Sequence, residues 1–161
     1  MPLVLGALVE PLSVAMHATH RAQVRLLSKP SILIFGAGAI GLLCAATCKV
    51  SGAQIIEIAD VQEDRVQLAT KHGYATHGLV VPTRKATAVE DNLVTARATA
   101  AQACKVQSEH FEGFDVVFEC TGVEACTQAA IYVGPLPFIL GHSLICSGDS
   151  IWGQSSSDRH G

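Results

Sequence analysis

No cluster of basic residues occurs in this sequence; 11 Lys and Arg stand against 14 Asp and Glu. A protein that neutralises nucleic-acid phosphates needs a basic face, so a nucleic-acid partner is not expected. The sequence also has no C-x-x-C pair. Its six cysteines, Cys44, Cys48, Cys104, Cys120, Cys126 and Cys146, sit mostly among apolar neighbours and read as buried thiols in a reducing compartment, which places the protein in the cytoplasm. Cys44 and Cys48 share a helix face at i, i+4 and are expected to pack against a sheet rather than hold a metal. Aromatic and charged residues are few, 5% and 16%, against 49% apolar. That composition excludes a disordered chain and describes an interior built from Ala, Val, Ile and Leu.

Long apolar runs are equally scarce. The one candidate membrane span, the uncharged stretch Ile32–Cys48, is broken by three glycines and changes from β-branched to helix-forming residues part-way, so no membrane association is expected. The apolar N-terminus lacks a basic region and is interrupted by Glu10 and Pro11, which argues against a signal peptide. At 161 residues the chain accommodates one domain of ordinary size.

What is present alternates strands with helices. "SILIF" (Ser31–Phe35) is a continuous apolar run of the kind buried on both faces of a parallel sheet. A glycine turn follows, then a helix over Ile40–Val50 stopped by Gly52. Ile55–Ala59 reads as a second strand ending at Asp60, Gln62–His72 as an amphipathic helix closed by Gly73, and Ala75–Val81 as a third strand. In the polar, alanine-rich middle segment the best helix runs over Glu90–Lys105. Phe114–Glu119 is a further strand, followed by the turn Cys120-Thr121-Gly122 and a helix over Val123–Tyr132. Ser143–Ser147 offers one more strand, and "GQSSSDRHG" reads as an unstructured terminus. This alternation predicts an α/β fold with a doubly wound, mostly parallel sheet.

Gly36-Ala-Gly38-Ala-Ile40-Gly41 fits G-x-G-x-x-G, after a strand and at the start of a helix. The first glycine permits the tight turn, the second admits a pyrophosphate to the backbone, and the third lets helix and strand approach. The helix N-terminus offers N–H groups and a positive dipole end to a diphosphate. Asp60 ends the second strand 19 positions beyond Gly41, where an acid binds ribose hydroxyls. An aspartate there repels a 2′-phosphate, which favours NAD over NADP; the plainer alternative for Asp60 is the N-cap of the next helix. Cys120-Thr121-Gly122 lies at the same sheet edge and is open to two readings, a tight turn or a cofactor contact. Arg65 is either a surface residue or a contact to the adenosine half. A methyltransferase using S-adenosylmethionine also carries a glycine loop and an acid after its second strand, but the form of this motif disfavours it.

Four segments, "GALVEPLSVAMHA", "GAGAIGLLCA", "IAD" with Arg65 five residues later, and "FDVVFECTGVEACTQAAIY", together resemble the zinc-containing medium-chain dehydrogenases, in their sorbitol (polyol) dehydrogenase branch. The resemblance covers about residues 6–133. It implies an incomplete Rossmann domain of an NAD-dependent oxidoreductase that converts a secondary alcohol of a sugar alcohol to a ketose by zinc-assisted hydride transfer, in a family often homo-oligomeric. By position, Glu10 inherits a place beside the zinc and the substrate. Gly36, Gly38, Ile40, Gly41, Asp60, Arg65, Cys120, Thr121 and Gly122 inherit cofactor contacts. The family's principal zinc ligands, a cysteine and a His-Glu pair, have no counterpart here and no G-H-E occurs, so no metal site is expected in this chain and its own activity is not. His17 and His20 are expected to be ordinary helix or loop residues. The expected organisation is a junction segment over 1–30, an NAD-binding domain over 31–148 and a disordered tail over 149–161. Agreement ends abruptly after Val133, as a truncated gene model, a retained intron or a shifted frame would produce. The competing expectation is a non-enzymatic or degenerate dinucleotide-binding fragment.

Overall fold

A computed structural model describes residues 3–82, 89–107, 113–133 and 139–141. Its centre is β1 (Ser31–Phe35), all five residues of which are buried. β2 (Ile55–Asp60) pairs with one side of β1 and β4 (Val116–Glu119) with the other, both parallel. β3 (His77–Val80) lies outside β2 and β5 (Ile139–Gly141) outside β4, giving five parallel strands in the order 3-2-1-4-5. The continuous apolar run of β1 follows from this position, since a strand with neighbours on both edges and helices over both faces has no side exposed to water.

The two faces use alternate residues. Ile32, Ile34, Ile56, Ile58, Val116 and Phe118 point to one side, where α2 (Val9–Arg21) and α3 (Ala39–Val50) supply Ala15, Ala18, Cys44, Ala45 and Cys48. Leu33, Phe35, Ala59, Leu79 and Val117 point to the other, against α5 (Val89–Gln107) and α6 (Glu124–Val133). The helices meet the sheet through alanines at Ala96, Ala100, Ala103, Ala129 and Ala130, which let their backbones lie close to it. Each fully enclosed Ile, Leu or Val contributes about 1.5–3 kcal/mol. The sheet is therefore doubly wound, as the alternation of elements predicted, and Cys44 and Cys48 do pack against it.

Local chemistry sets the boundaries. α3 ends in a Schellman motif: Ala53 N–H donates to Cys48 O and Gly52 N–H to Lys49 O, with Gly52 at φ +102°. α4 (Glu63–Lys71) closes with the same pair of bonds, from Tyr74 to Ala69 and from Gly73 to Thr70. The strand is shorter than the expected Ala75–Val81; just before it Thr76 ties the edge to β2, its N–H donating to Ile56 O and its Oγ1 bonding both the N–H and the carbonyl of Ile56. The first 30 residues contain α1 (Leu3–Gly6), α2 and a 3-10 turn, Val24–Leu26. Pro11 does not break α2, since it lies in the first turn, where an N–H has no intrahelical partner to lose. The expected strand over 143–147, the tail over 149–161 and Cys146 lie outside the described residues.

Candidate functional site

Three loops leave the carboxyl ends of β1, β2 and β4 side by side. The switch in strand order falls between β1 and β4, because β2 and β3 were laid down on one side of β1 and β4 on the other. A crevice outside the strand ends at such a point is where ligands of open α/β sheets bind. The loops are stitched together by main-chain bonds: Gly36 N–H donates to Ala59 O at 2.7 Å, and Cys120 N–H donates to Phe35 O at 2.9 Å.

The three glycines of the motif meet different surroundings. Gly36 turns at φ +99°, and a Cβ on it would come within 3.0 Å of the Thr121 methyl and 3.2 Å of the Cys120 carbonyl group. Gly41 presses on the loop, since a Cβ there would stand 1.8 Å from Gly36 O. Gly38 is the opposite case. It is in extended conformation at φ −81°, and a Cβ placed on it would meet no protein atom within 4 Å. Neither backbone conformation nor packing requires glycine at this position. Gly38 is also the N-cap of α3 and supplies no side-chain cap, so the first-turn N–H groups face the same open space with the positive end of the helix dipole.

Asp60 serves two loops. Oδ2 accepts from Ala37 N at 2.7 Å, inside the glycine motif, and Oδ1 accepts from Gln62 N at 2.9 Å, leading into α4. Gln62, not Asp60, is the N-cap of that helix. A carboxylate has about four lone-pair directions, so Asp60 retains acceptor capacity toward the crevice. Arg65 is exposed on the first turn of α4, and Ile40 is half-buried on the first turn of α3, packed against the core.

The turn after β4 carries a residue that the sequence reading missed. Glu119 is 2% exposed. Its Oε1 accepts from Thr121 N at 2.7 Å and from the Thr121 hydroxyl, and both of its oxygens accept from Gly122 N, at 3.2 and 3.1 Å. Thr121 Oγ1 in turn accepts from Val123 N at 3.0 Å, so its hydroxyl is engaged both as donor and as acceptor. The available signal was a glutamate as the last strand residue, two positions before a threonine and three before a glycine, where one carboxylate can reach successive N–H groups.

Thiols line the underside of this edge. The neighbouring Cys120 thiol and burial together hold the Cys44 thiol far above its ordinary range. Burial likewise raises the Cys126 thiol against the lowering effect of nearby Thr121, with Glu119 and Asp60 adding to the rise.

Glu10, His17 and His20 lie apart from these loops in sequence, all three exposed on α2. Glu10 falls in the first turn, where a negative charge is favoured by the helix dipole. The groove of about 700 Å³ between α2, the 3-10 turn and α3 is lined by Leu12, Met16, His20 and Val50 among others, and by neither Glu10 nor any glycine of the motif. Among the described residues no group of three or more His, Cys, Asp or Glu side chains could hold a metal ion, and no helix is long and apolar enough to cross a membrane.

No protein-family model matches the chain. It is 37% identical over 128 residues to the D-xylulose reductase of Saccharomyces cerevisiae, covering 80% of this chain and 32% of that protein. To the sorbitol dehydrogenase of Gallus gallus it is 35% identical over 127 residues, covering 79% and 31%. The solved structure of 2R,3R-butanediol dehydrogenase from Bacillus subtilis superposes with a TM-score of 0.58 at 29% identity, covering 84% of this chain and 35% of that one. The chain thus spans about a third of the length of the proteins it matches. With the glycine motif, the acid after β2 and the five-stranded parallel order all in place, the chain belongs to the medium-chain dehydrogenase/reductase superfamily and is polyol dehydrogenase-like.

Proposed function

We propose that this chain is the coenzyme-binding part of an NAD-dependent polyol dehydrogenase, acting on a secondary alcohol of a sugar alcohol. The observation that carries the reading is Gly38. A glycine that neither the backbone nor the packing demands, at an uncapped helix start, leaves room for a ligand to lie against the main chain. A diphosphate suits that place, because the α3 N–H groups and dipole complement its charge.

The fit extends to both sides. Asp60 accepts hydroxyls of the adenosine ribose while its remaining bonds keep the glycine loop in shape, and its charge disfavours a 2′-phosphate. Ile40 and Arg65 flank this half, and Cys120, Thr121 and Gly122 border the other. Because the Thr121 hydroxyl is already engaged, this turn contacts the cofactor chiefly through its main chain. When bound, the nicotinamide supplies the hydride acceptor. The names of the relatives, D-xylulose reductase and sorbitol dehydrogenase, support the substrate class.

The zinc of such enzymes does not fit the described residues, whose exposed Glu10, His17 and His20 form no ligand set. Glu10 keeps its proposed place at the edge of the substrate site as a property of the longer proteins. The chain by itself is expected to bind the dinucleotide without turning over a sugar alcohol. Titration of the folded chain with NADH and NADPH tests the reading. Saturable binding with NADH the tighter ligand supports it, and no binding of either overturns it.

A further inference from the structure

We infer that Glu119 is a positioning residue that shapes the nicotinamide side of the crevice, while the adenosine side rests on hydrogen bonds of its own. This rests on the dinucleotide reading above. Glu119 is almost completely buried at the end of β4, and among the described residues its side-chain hydrogen bonds all come from one turn: Thr121 N–H, Thr121 O–H and Gly122 N–H. A buried carboxylate is costly unless strong donors surround it. Here the main chain of the turn wraps the carboxylate and is thereby held in a conformation with Gly122 at φ +71°. A Cβ on Gly122 would meet nothing within 4 Å, so the far side of the turn is open, as it is at Gly38 across the crevice.

The adenosine half has separate supports. Gly36 N–H is held by Ala59 O and Ala37 N–H by Asp60, and neither bond involves Glu119; the turn joins the glycine loop through Cys120 N–H and Phe35 O, a main-chain bond made without the Glu119 carboxylate. A dinucleotide running from Asp60 on β2, over the start of α3, to the turn after β4 touches the Glu119-held part only with the portion beyond its diphosphate. Loss of the Glu119 carboxylate therefore loosens one end of the ligand and leaves the other in place.

Glu119→Gln keeps size and shape but turns an –NH₂ toward the Gly122 N–H, donor against donor. Thr121→Val removes the hydroxyl that bonds Glu119 and Val123, and Thr121→Ser retains it. The test measures NADH affinity by fluorescence and ADP affinity by calorimetry, with thermal unfolding followed by circular dichroism. Expected for E119Q and T121V is about tenfold weaker NADH with ADP within about twofold of wild type, and wild-type NADH affinity in T121S. Unchanged NADH affinity in a folded E119Q overturns the inference. So does an equal loss of NADH and ADP, which marks a purely structural role. If E119Q does not fold, T121V against T121S decides by the same criteria. Failure of the wild-type chain to bind either ligand overturns the dinucleotide reading itself, and this inference with it.

Discussion

Replacing Gly38 with alanine adds one methyl group at a point where no protein atom lies within 4 Å, whereas the same change at Gly41 drives that methyl to 1.8 Å from the Gly36 carbonyl oxygen. Carbon and carbonyl oxygen normally approach no closer than about 3.3 Å, so Gly41→Ala creates an overlap of roughly 1.5 Å against backbone that cannot rotate away. Helix α3 must shift from β1, at an overpacking cost of about 1–3 kcal/mol or more. That is a large share of the ~5–15 kcal/mol that holds a domain together. Gly38→Ala carries no such cost. Its extended backbone suits an L-residue, and the reduced freedom of the unfolded chain, worth up to about 1 kcal/mol, roughly offsets the poorer capping of α3 by alanine than by glycine at the N-cap. Urea unfolding followed by circular dichroism, paired with NADH titration, separates the two. G41A is expected to lose stability. G38A is expected to unfold close to the wild-type midpoint and to bind NADH more than about tenfold less tightly, because the methyl occupies the diphosphate's space. A G38A protein that loses about 2 kcal/mol, or that binds NADH within twofold of wild type, refutes the argument that this glycine is kept for a ligand.

Asp60→Ala is expected to weaken NADH binding and also to cost about 1–3 kcal/mol, since it leaves Ala37 N–H and Gln62 N–H without their acceptor; equilibrium unfolding and titration read the two effects, and unchanged stability contradicts the shared role. Asp115→Ala, which removes the acceptor of Ser31 N–H at 2.7 Å and of Ser31 Oγ at 2.8 Å at the opposite end of β1 and β4, should lower the unfolding midpoint with NADH affinity unchanged. Alkaline solution should destabilise the protein. Burial pushes the Cys48 thiol from its ordinary 9.0 up to about 12, so above about pH 9 the unfolded chain releases a proton that the native state retains. Stability present below that pH then falls by ~1.4 kcal/mol per pH unit until the native thiol itself ionises. Urea midpoints across this range check it, with a shallower decline expected in Cys48→Ala.

Legibility in the sequence followed from how local the determining physics is. β1, α3 and the glycine motif were readable because an apolar run enclosed on both faces, a glycine turn and a glycine-stopped helix are properties of neighbouring residues. The charged amphipathic pattern of α4 was readable for the same reason. The segment with Glu10 and Pro11 concealed a helix, since a proline signals a break or a helix start depending on where the first turn falls. The outermost strand at Ile139–Gly141 was not foreseen, because an edge position depends on the strand beside it.

The sequence by itself determined the fold class, the order of elements, the glycine motif and the acid expected to serve it, since each rests on periodicity or spacing along the chain. Only the tertiary structure decided what those residues do for one another. It brought β1 between β2 and β4, so that Gly36 meets Ala59, 23 positions on, and Phe35 meets Cys120, 85 positions on, at one edge. It showed that Gly41 is required by packing and that Gly38 is not. It gave Asp60 two loops to hold, and turned Glu119 from a strand's last residue into the anchor of the neighbouring turn. These depend on distances between residues remote in sequence, which strand order alone sets.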